Sequence, residues 1–166
     1  MKKWIPYCLV ILWCGVIFLF SNESGVESDV RSKGVLNGII TVYDKITNTN
    51  RTPEEVEEIL EKGNHLIRKT AHFTVYLVLG ILVIQCFDPK HYPISKRILY
   101  SLLFCVIYAS FDEFHQLFLS GRSGQIQDVL LDSSGSLTGL FFYFLWQKRK
   151  LLKEEAKHEK IRDNLS

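Results

Sequence analysis

The chain has 166 residues, of which 47% are hydrophobic and 23% charged, and a formal net charge of +2. That length leaves room for a single domain. No nucleic-acid partner is expected, and the small net charge itself says nothing of one, because the basic residues sit at the ends of apolar stretches.

Four stretches carry almost no charge: Trp4–Phe20, Thr70–Phe87, Ile98–Leu119 and Val129–Trp146. Each is 17 to 22 residues long, the length of a straight or tilted membrane helix. A soluble four-helix bundle would show apolar stripes broken by Lys and Glu at helical period instead. The expected architecture is therefore an all-α integral membrane four-helix bundle forming one domain over 1–166. It has spans at about 4–20, 70–87, 98–119 and 129–146, an external helical segment at 21–69, and a cytoplasmic tail at 147–166.

The first span follows Lys2 and Lys3, as the core of a signal peptide would. Its apolar run is longer than such a core usually is, no A-x-A-like site follows, and Trp13 is too large to precede a lipoprotein cysteine at Cys14. It is expected to remain as a spanning helix. In the external segment Val35, Leu36, Ile39, Ile40, Tyr43 and Ile46 recur at helical spacing. They suit either a helix in the membrane interface or one arm of a hairpin packed over the bundle. Asn48-Thr49-Asn50 reads as a turn. Thr52-Pro53-Glu54-Glu55 is a capping box that starts a second helix, with Gly63 as its stop.

The third span is the most informative. Ile98 to Phe111 is a fourteen-residue apolar run, too short to cross a bilayer, and Asp112, Glu113, His115 and Gln116 follow directly. Charge at membrane depth costs roughly 2.5–3.5 kcal/mol per residue on insertion scales unless it is paired or lines a polar cavity. In the fourth span, Gly135-x-x-x-Gly139 with Ser136 predicts close helix packing. Cys8, Cys14, Cys86 and Cys105 lie inside apolar spans without metal-type spacing and read as small hydrophobes.

Lys and Arg mark the cytoplasmic side of short loops. Lys2 and Lys3, then Lys90, Lys96 and Arg97, then Lys148, Arg149, Lys150 and Lys153 fall on one side of an even number of spans. This predicts a multi-pass membrane protein with both termini cytoplasmic. With that topology the polar residues converge at the outer level. They are Ser21 from the first span, Arg68, Lys69, His72 and Tyr76 from the second, Asp112 to Gln116 from the third, and Asp128 and Asp132 from the fourth, with Arg122 in the loop between. Each alone could be an interface anchor or a helix cap, and together they could also be a structural ion-pair network.

Ser21 after an apolar span, Arg68-Lys69-x-Ala71-His72-Phe73 with Tyr76, Tyr108-x-x-x-Asp112-Glu113-x-His115-Gln116-x-Phe118, Gly121-Arg122, Asp128 and Gly135 together resemble the VanZ-like family of small bacterial membrane proteins. The similarity runs from about Trp4 to Trp146. Two positions depart from the family pattern: Glu23 stands where glutamine is frequent, and Asp132 where asparagine is common. The family is named for a teicoplanin-resistance protein, and the resemblance implies a cell-envelope setting.

Two functions fit. In the first, an enzyme acts on a lipid-linked envelope substrate, with His72, Asp112, Glu113 and His115 as catalytic residues. Ser21, Arg68, Lys69, Tyr76, Gln116, Arg122, Asp128 and Asp132 then bind substrate. No cofactor is required, although Asp112, His115, Asp128 and His72 offer a ligand set for a divalent metal. In the second, the same site holds a lipid head group, or a glycopeptide and its lipid-linked cell-wall target, without chemistry. Membrane lipids are the expected partners in both. Transport fits less well, since no span is broken by paired Gly or Pro.

Overall fold

The computed structural model describes residues 4–122 and 124–163, without the side chains of 158–160 and 163. Lys2 and Lys3, used above to orient the chain, lie outside the described residues. The described residues form five helices and no strand. They are α1 (Ile5–Ser21), α2 (Gly25–Thr47), α3 (Pro53–Ile84), α4 (Ile94–Gln116) and α5 (Ile126–Asp163).

Three helices, Pro53–Ile84, Ile94–Gln116 and the Ile126–Lys157 part of α5, are long and apolar enough to cross a membrane. A fourth span results if α1 is counted with α2, to which it is joined at a bend of 103°. Apolar side chains such as Ile11, Leu12, Leu19, Ile107, Phe111 and Leu130 face outward, the arrangement a lipid solvent permits. The chain is a multi-pass helical membrane bundle.

α1 closes at Ser21, where the Asn22 N–H still bonds Phe18 O at 2.9 Å. The chain turns, and Ser24 opens α2 through a capping box with Glu27. The Ser24 N–H donates to Glu27 Oε2 at 2.9 Å, and the Glu27 N–H to Ser24 Oγ at 3.3 Å. The Ser-x-x-Glu spacing was as legible here as at Thr52, and it was missed. α2 ends at Asn48, which adopts the left-handed conformation (φ 51°) that stops a helix. The expected Thr52–Glu55 box then starts α3.

α3 corrects one expectation. Gly63 is not a stop, and the boundary drawn at 69/70 falls inside a continuous helix of 32 residues, about 48 Å long at 1.5 Å per residue. A helix-interior glycine costs only about 1 kcal/mol. Here it also lets α2 approach, because a Cβ at Gly63 would meet Leu36 Cδ2 at 2.5 Å. The first half of α3 packs on α2 as a helical hairpin, and the second half packs on α1, α4 and α5. The external segment forms a hairpin with α3, and Val35, Ile39, Tyr43 and Ile46 stay exposed on α2, as a helix at the membrane interface would also have them.

α4 starts a turn earlier than expected, after Pro93, and ends at Gln116, so Leu117–Leu119 leave the helix in a tight turn. α5 runs through the expected tail to Asp163. The α3–α5 contact is close because the facing residues are small. A Cβ on Gly80 would meet Ser136 O at 2.6 Å, and Cβ atoms on Gly135 and Gly139 would strike Phe73 O and Leu77 O. Val10, Ile17, Leu79, Val83 and Ala109 fill the core beside this seam with Cys105, and all four cysteines are free.

Candidate functional site

The C-terminal ends of α1 and α4, the middle of α3 and the start of α5 meet at one end of the bundle. The polar residues picked from the sequence sit there. The connection after α4 holds this end together. Gly121, with φ at 73°, packs against Gly25, where any Cβ would strike the Gly121 carbonyl, and the Gly25 N–H donates to Ser120 O at 3.2 Å. That contact brings Arg122 over the end of α1, where its Nε donates to Glu23 O at 3.2 Å and its Nη1 to Gln116 Oε1 at 3.1 Å.

Gln116 is the hub. Its Nε2 donates to Ser21 Oγ at 2.9 Å and to Asp112 Oδ2 at 3.3 Å, so loop, α1 and α4 are linked through one buried amide. The four-residue step from Asp112 to Gln116 puts both on the same face of α4. Glu113 points elsewhere: its Oε2 accepts the Gln125 N–H at 2.9 Å and pins the α4–α5 connection.

His72, Asp112 and Asp132 form the centre. One ligand-type atom from each lies within 4.8 Å of the others. His72 Nδ1 is 3.6 Å from Asp132 Oδ2, and the Asp132 side chain is fully buried. Neither Asp132 oxygen accepts a hydrogen bond, and His72 Nδ1 has no hydrogen-bond partner either. Tyr76, one turn along α3 from His72, is fully buried with its hydroxyl unpartnered. Its main-chain carbonyl accepts from Ser136 Oγ at 3.1 Å. Buried groups left this bare are uncommon and mark strain or function.

The remaining cations are spoken for. Lys69 pairs with Asp128, and Arg68 Nη1 bonds Asp29 Oδ1 on α2 at 2.6 Å. Arg31, also on α2, pairs with Glu23 at 2.5 Å. Sequence reasoning did not select Asp29 or Arg31. Helical spacing gives the face of α2 but not which helix that face meets. Burial, followed by repulsion from Arg68, holds the Arg122 guanidinium below its usual pKa.

Two cavities open here. A groove of about 270 Å³ has apolar walls from Ile17, Phe20, Val35, Ile67 and Val75. A smaller polar vestibule of about 100 Å³ is lined by residues including His65, Lys69, Gln116 and Asp128. They share three lining residues: Arg68, His72 and Arg122.

Not every expected residue joins them. His115 is half-buried against the Phe18 ring, with ring centroids 4.9 Å apart; its Nδ1 is buried without a hydrogen-bond partner, but it lines neither cavity. It projects toward α1, while Asp112 faces α3 and α5. Asp128 is occupied by Lys69. Of the four donors named from sequence, His72 and Asp112 lie in the cluster with Asp132, and His115 and Asp128 lie outside it. Ser21, Arg68, Lys69, Tyr76, Gln116 and Arg122 surround the centre, and Glu113 supports its loop.

A family model described as VanZ/LLP1 matches residues 6–147, a stretch that includes every one of these side chains. Neither a curated protein nor a solved structure matches the chain.

Proposed function

The chain belongs to the VanZ/LLP1 family, and from the geometry of its site we propose that it binds the anionic head of a lipid-linked envelope molecule. One observation carries this reading: the apolar groove and the polar vestibule meet at Arg68, His72 and Arg122. An acyl or prenyl chain fits the groove, while a phosphate or carboxylate lies between two guanidiniums. Arg is suited to such recognition because its planar fork makes paired charge-assisted bonds. An anion would also relieve the repulsion between Arg68 and Arg122.

His72 is the one described residue lining both cavities, apart from the two arginines, whose side chain can give or take a proton. It is the group placed to act on the head. The site end faces outward in this proposal, with both termini in the cytoplasm of a bacterial plasma membrane. The family name makes a lipid-linked cell-wall precursor, in the setting of teicoplanin resistance, the first substrate class to test.

The test is lipid analysis of the full chain purified from bacterial membranes. Enrichment of a phosphate- or carboxylate-bearing lipid over the bulk membrane is expected. Arg68→Gln and Arg122→Gln should each reduce it about tenfold or more, since a charge-assisted contact is worth roughly 1.5–3 kcal/mol. A lipid profile equal to the bulk membrane and indifferent to both variants would overturn the reading.

A further inference from the structure

We propose that His72, Asp112 and Asp132 bind one divalent metal ion of the manganese-to-zinc class. The donors come from three helices, α3, α4 and α5, and converge to within 4.8 Å with no hydrogen bond among them, the one ion-pair contact being His72 with Asp132 at 3.6 Å. Asp132 is wholly buried, and neither of its oxygens accepts a hydrogen bond. Asp112 is 2% exposed and accepts hydrogen bonds from the Gln116 amide and the Ser21 hydroxyl, both neutral donors that leave its charge uncompensated. Two buried carboxylates at this distance repel each other unless a positive charge sits between them or one of them takes up a proton.

The candidates for that charge are few. Lys69 is paired with Asp128 and Arg68 with Asp29, and Arg122 feels the Asp112 charge but hydrogen-bonds the Glu23 carbonyl and Gln116 rather than either carboxylate of the cluster. Among the described residues His72 is the one basic group paired with Asp132, and at 3.6 Å its Nδ1 makes no hydrogen bond. A dication supplies what the side chains lack. Metal–ligand distances of about 2.0–2.2 Å put neighbouring donors roughly 3–4 Å apart, so a small side-chain shift closes the three around an ion.

The donor set fixes the class. One imidazole nitrogen with two carboxylate oxygens suits manganese, iron or zinc better than calcium, which takes oxygen alone, or copper(I), which prefers sulfur. Gln116 then acts as an outer support, orienting Asp112 while Arg122 and Ser21 orient Gln116. His72 also lines the vestibule, so the ion would sit beside the place proposed for the anionic head. The metal site rests on the three ligands alone and stands whether or not the groove takes a lipid.

The full chain, purified in detergent and stripped with EDTA, is dialysed against Mn²⁺ or Zn²⁺ and its metal counted by mass spectrometry. One equivalent per chain is expected for at least one of the two ions. Asp132→Asn, Asp112→Asn and His72→Gln should each lose it, whereas His91→Gln, in the exposed loop before α4, should keep it. Gln116→Ala should weaken binding about 10- to 100-fold. Wild-type protein without stoichiometric metal overturns the proposal, as does a folded Asp132→Asn or Asp112→Asn variant that retains the full equivalent. If both asparagine variants fail to fold, His72→Gln and Gln116→Ala decide in the same way. Lipid analysis of the EDTA-stripped protein keeps a failure of lipid binding separate from a failure of metal binding.

Discussion

Arg97 and Asp132 lie at opposite ends of the bundle and are 1% and 0% exposed, but their surroundings are built in opposite ways. Arg97, near the start of α4, reaches across to α3 and α5. Its Nη2 donates to Ile84 O and Tyr143 Oη at 3.2 and 3.1 Å, and its Nη1 to Gln147 Oε1 at 3.2 Å. It also caps the C-terminal carbonyls of α3, where a cation is favoured by the helix dipole. Asp132 sits among groups that could bond it and do not. Of the Arg97 nitrogens only Nε lacks a partner, whereas both Asp132 oxygens do; a buried charge with most of its partners in place holds helices together, and one without them waits for something the chain does not supply. The first is architecture and the second is a site.

The comparison breaks most visibly at Arg97. Arg97→Ala leaves three acceptors without their donor and opens a void between α3, α4 and α5, so it should lower stability by about 3 kcal/mol. Thermal unfolding in detergent measures this, and lipid and metal binding should survive in the fraction that folds. Loss of binding without loss of stability would mean that the Arg97 end also takes part in function.

Asp132→Asn should move the other way. The amide keeps the shape and removes the unpaired charge, so the metal-free protein should gain about 1–2 kcal/mol. Stabilisation together with lost function is the pattern of a site held in a costly state. Saturating Mn²⁺ or Zn²⁺ should narrow or reverse the difference, because an ion that binds only the folded wild type stabilises it. A variant destabilised under metal-free conditions would show that Asp132 is part of the framework.

Much of this was legible in the sequence, and what was not has a common cause. Local rules identified the Thr52 capping box and the Asn48 turn, each set by residues within one helical turn of another. The close Gly135–Gly139 seam was readable because only small residues permit it. Convergence of the polar groups followed from topology alone. Partner choice did not. His115 and Asp112 lie three apart on α4, and only the rotation of α4 against α1 and α5 decides that the first meets Phe18 and the second meets His72. Arg68 meeting Asp29, Lys69 meeting Asp128 and Arg97 leaving the loop for the core are likewise tertiary outcomes. Gly63 misled because its cost is small and the neighbouring helix needs the space.

A smaller effect is expected at the hinge between α1 and α2, which supports the site without entering it. Ser24→Ala removes the capping box and should cost about 1 kcal/mol. Its pH dependence is signed. The Ser24 N–H and hydroxyl hold the Glu27 carboxyl below its usual pKa. A depressed carboxyl stabilises the fold above its unfolded pKa and loses that contribution as the pH falls through the folded one. The penalty of Ser24→Ala should therefore be full near neutral pH and shrink in acid below the usual carboxylate range. Thermal unfolding of both proteins across that range tests it, and a penalty that grows on acidification would show that the box is not the cause.

The smallest effect should come from His115, the residue that most invited a catalytic role on sequence alone. Its ring packs on Phe18 and lines neither cavity, so it lacks a path to a ligand at Arg68, His72 and Arg122. His115→Gln keeps a polar side chain of similar reach and should change stability by less than about 1 kcal/mol. Metal stoichiometry and lipid enrichment should match wild type. His72→Gln, one side chain away in chemistry but inside the triad, should lose the metal. The pair is the sharpest contrast available, because the same substitution is made on two half-buried histidines that differ only in what they face. If His115→Gln instead abolishes metal or lipid binding while the protein stays folded, the site extends around α4 toward α1. The boundary drawn here between framework and site would then have to move with it.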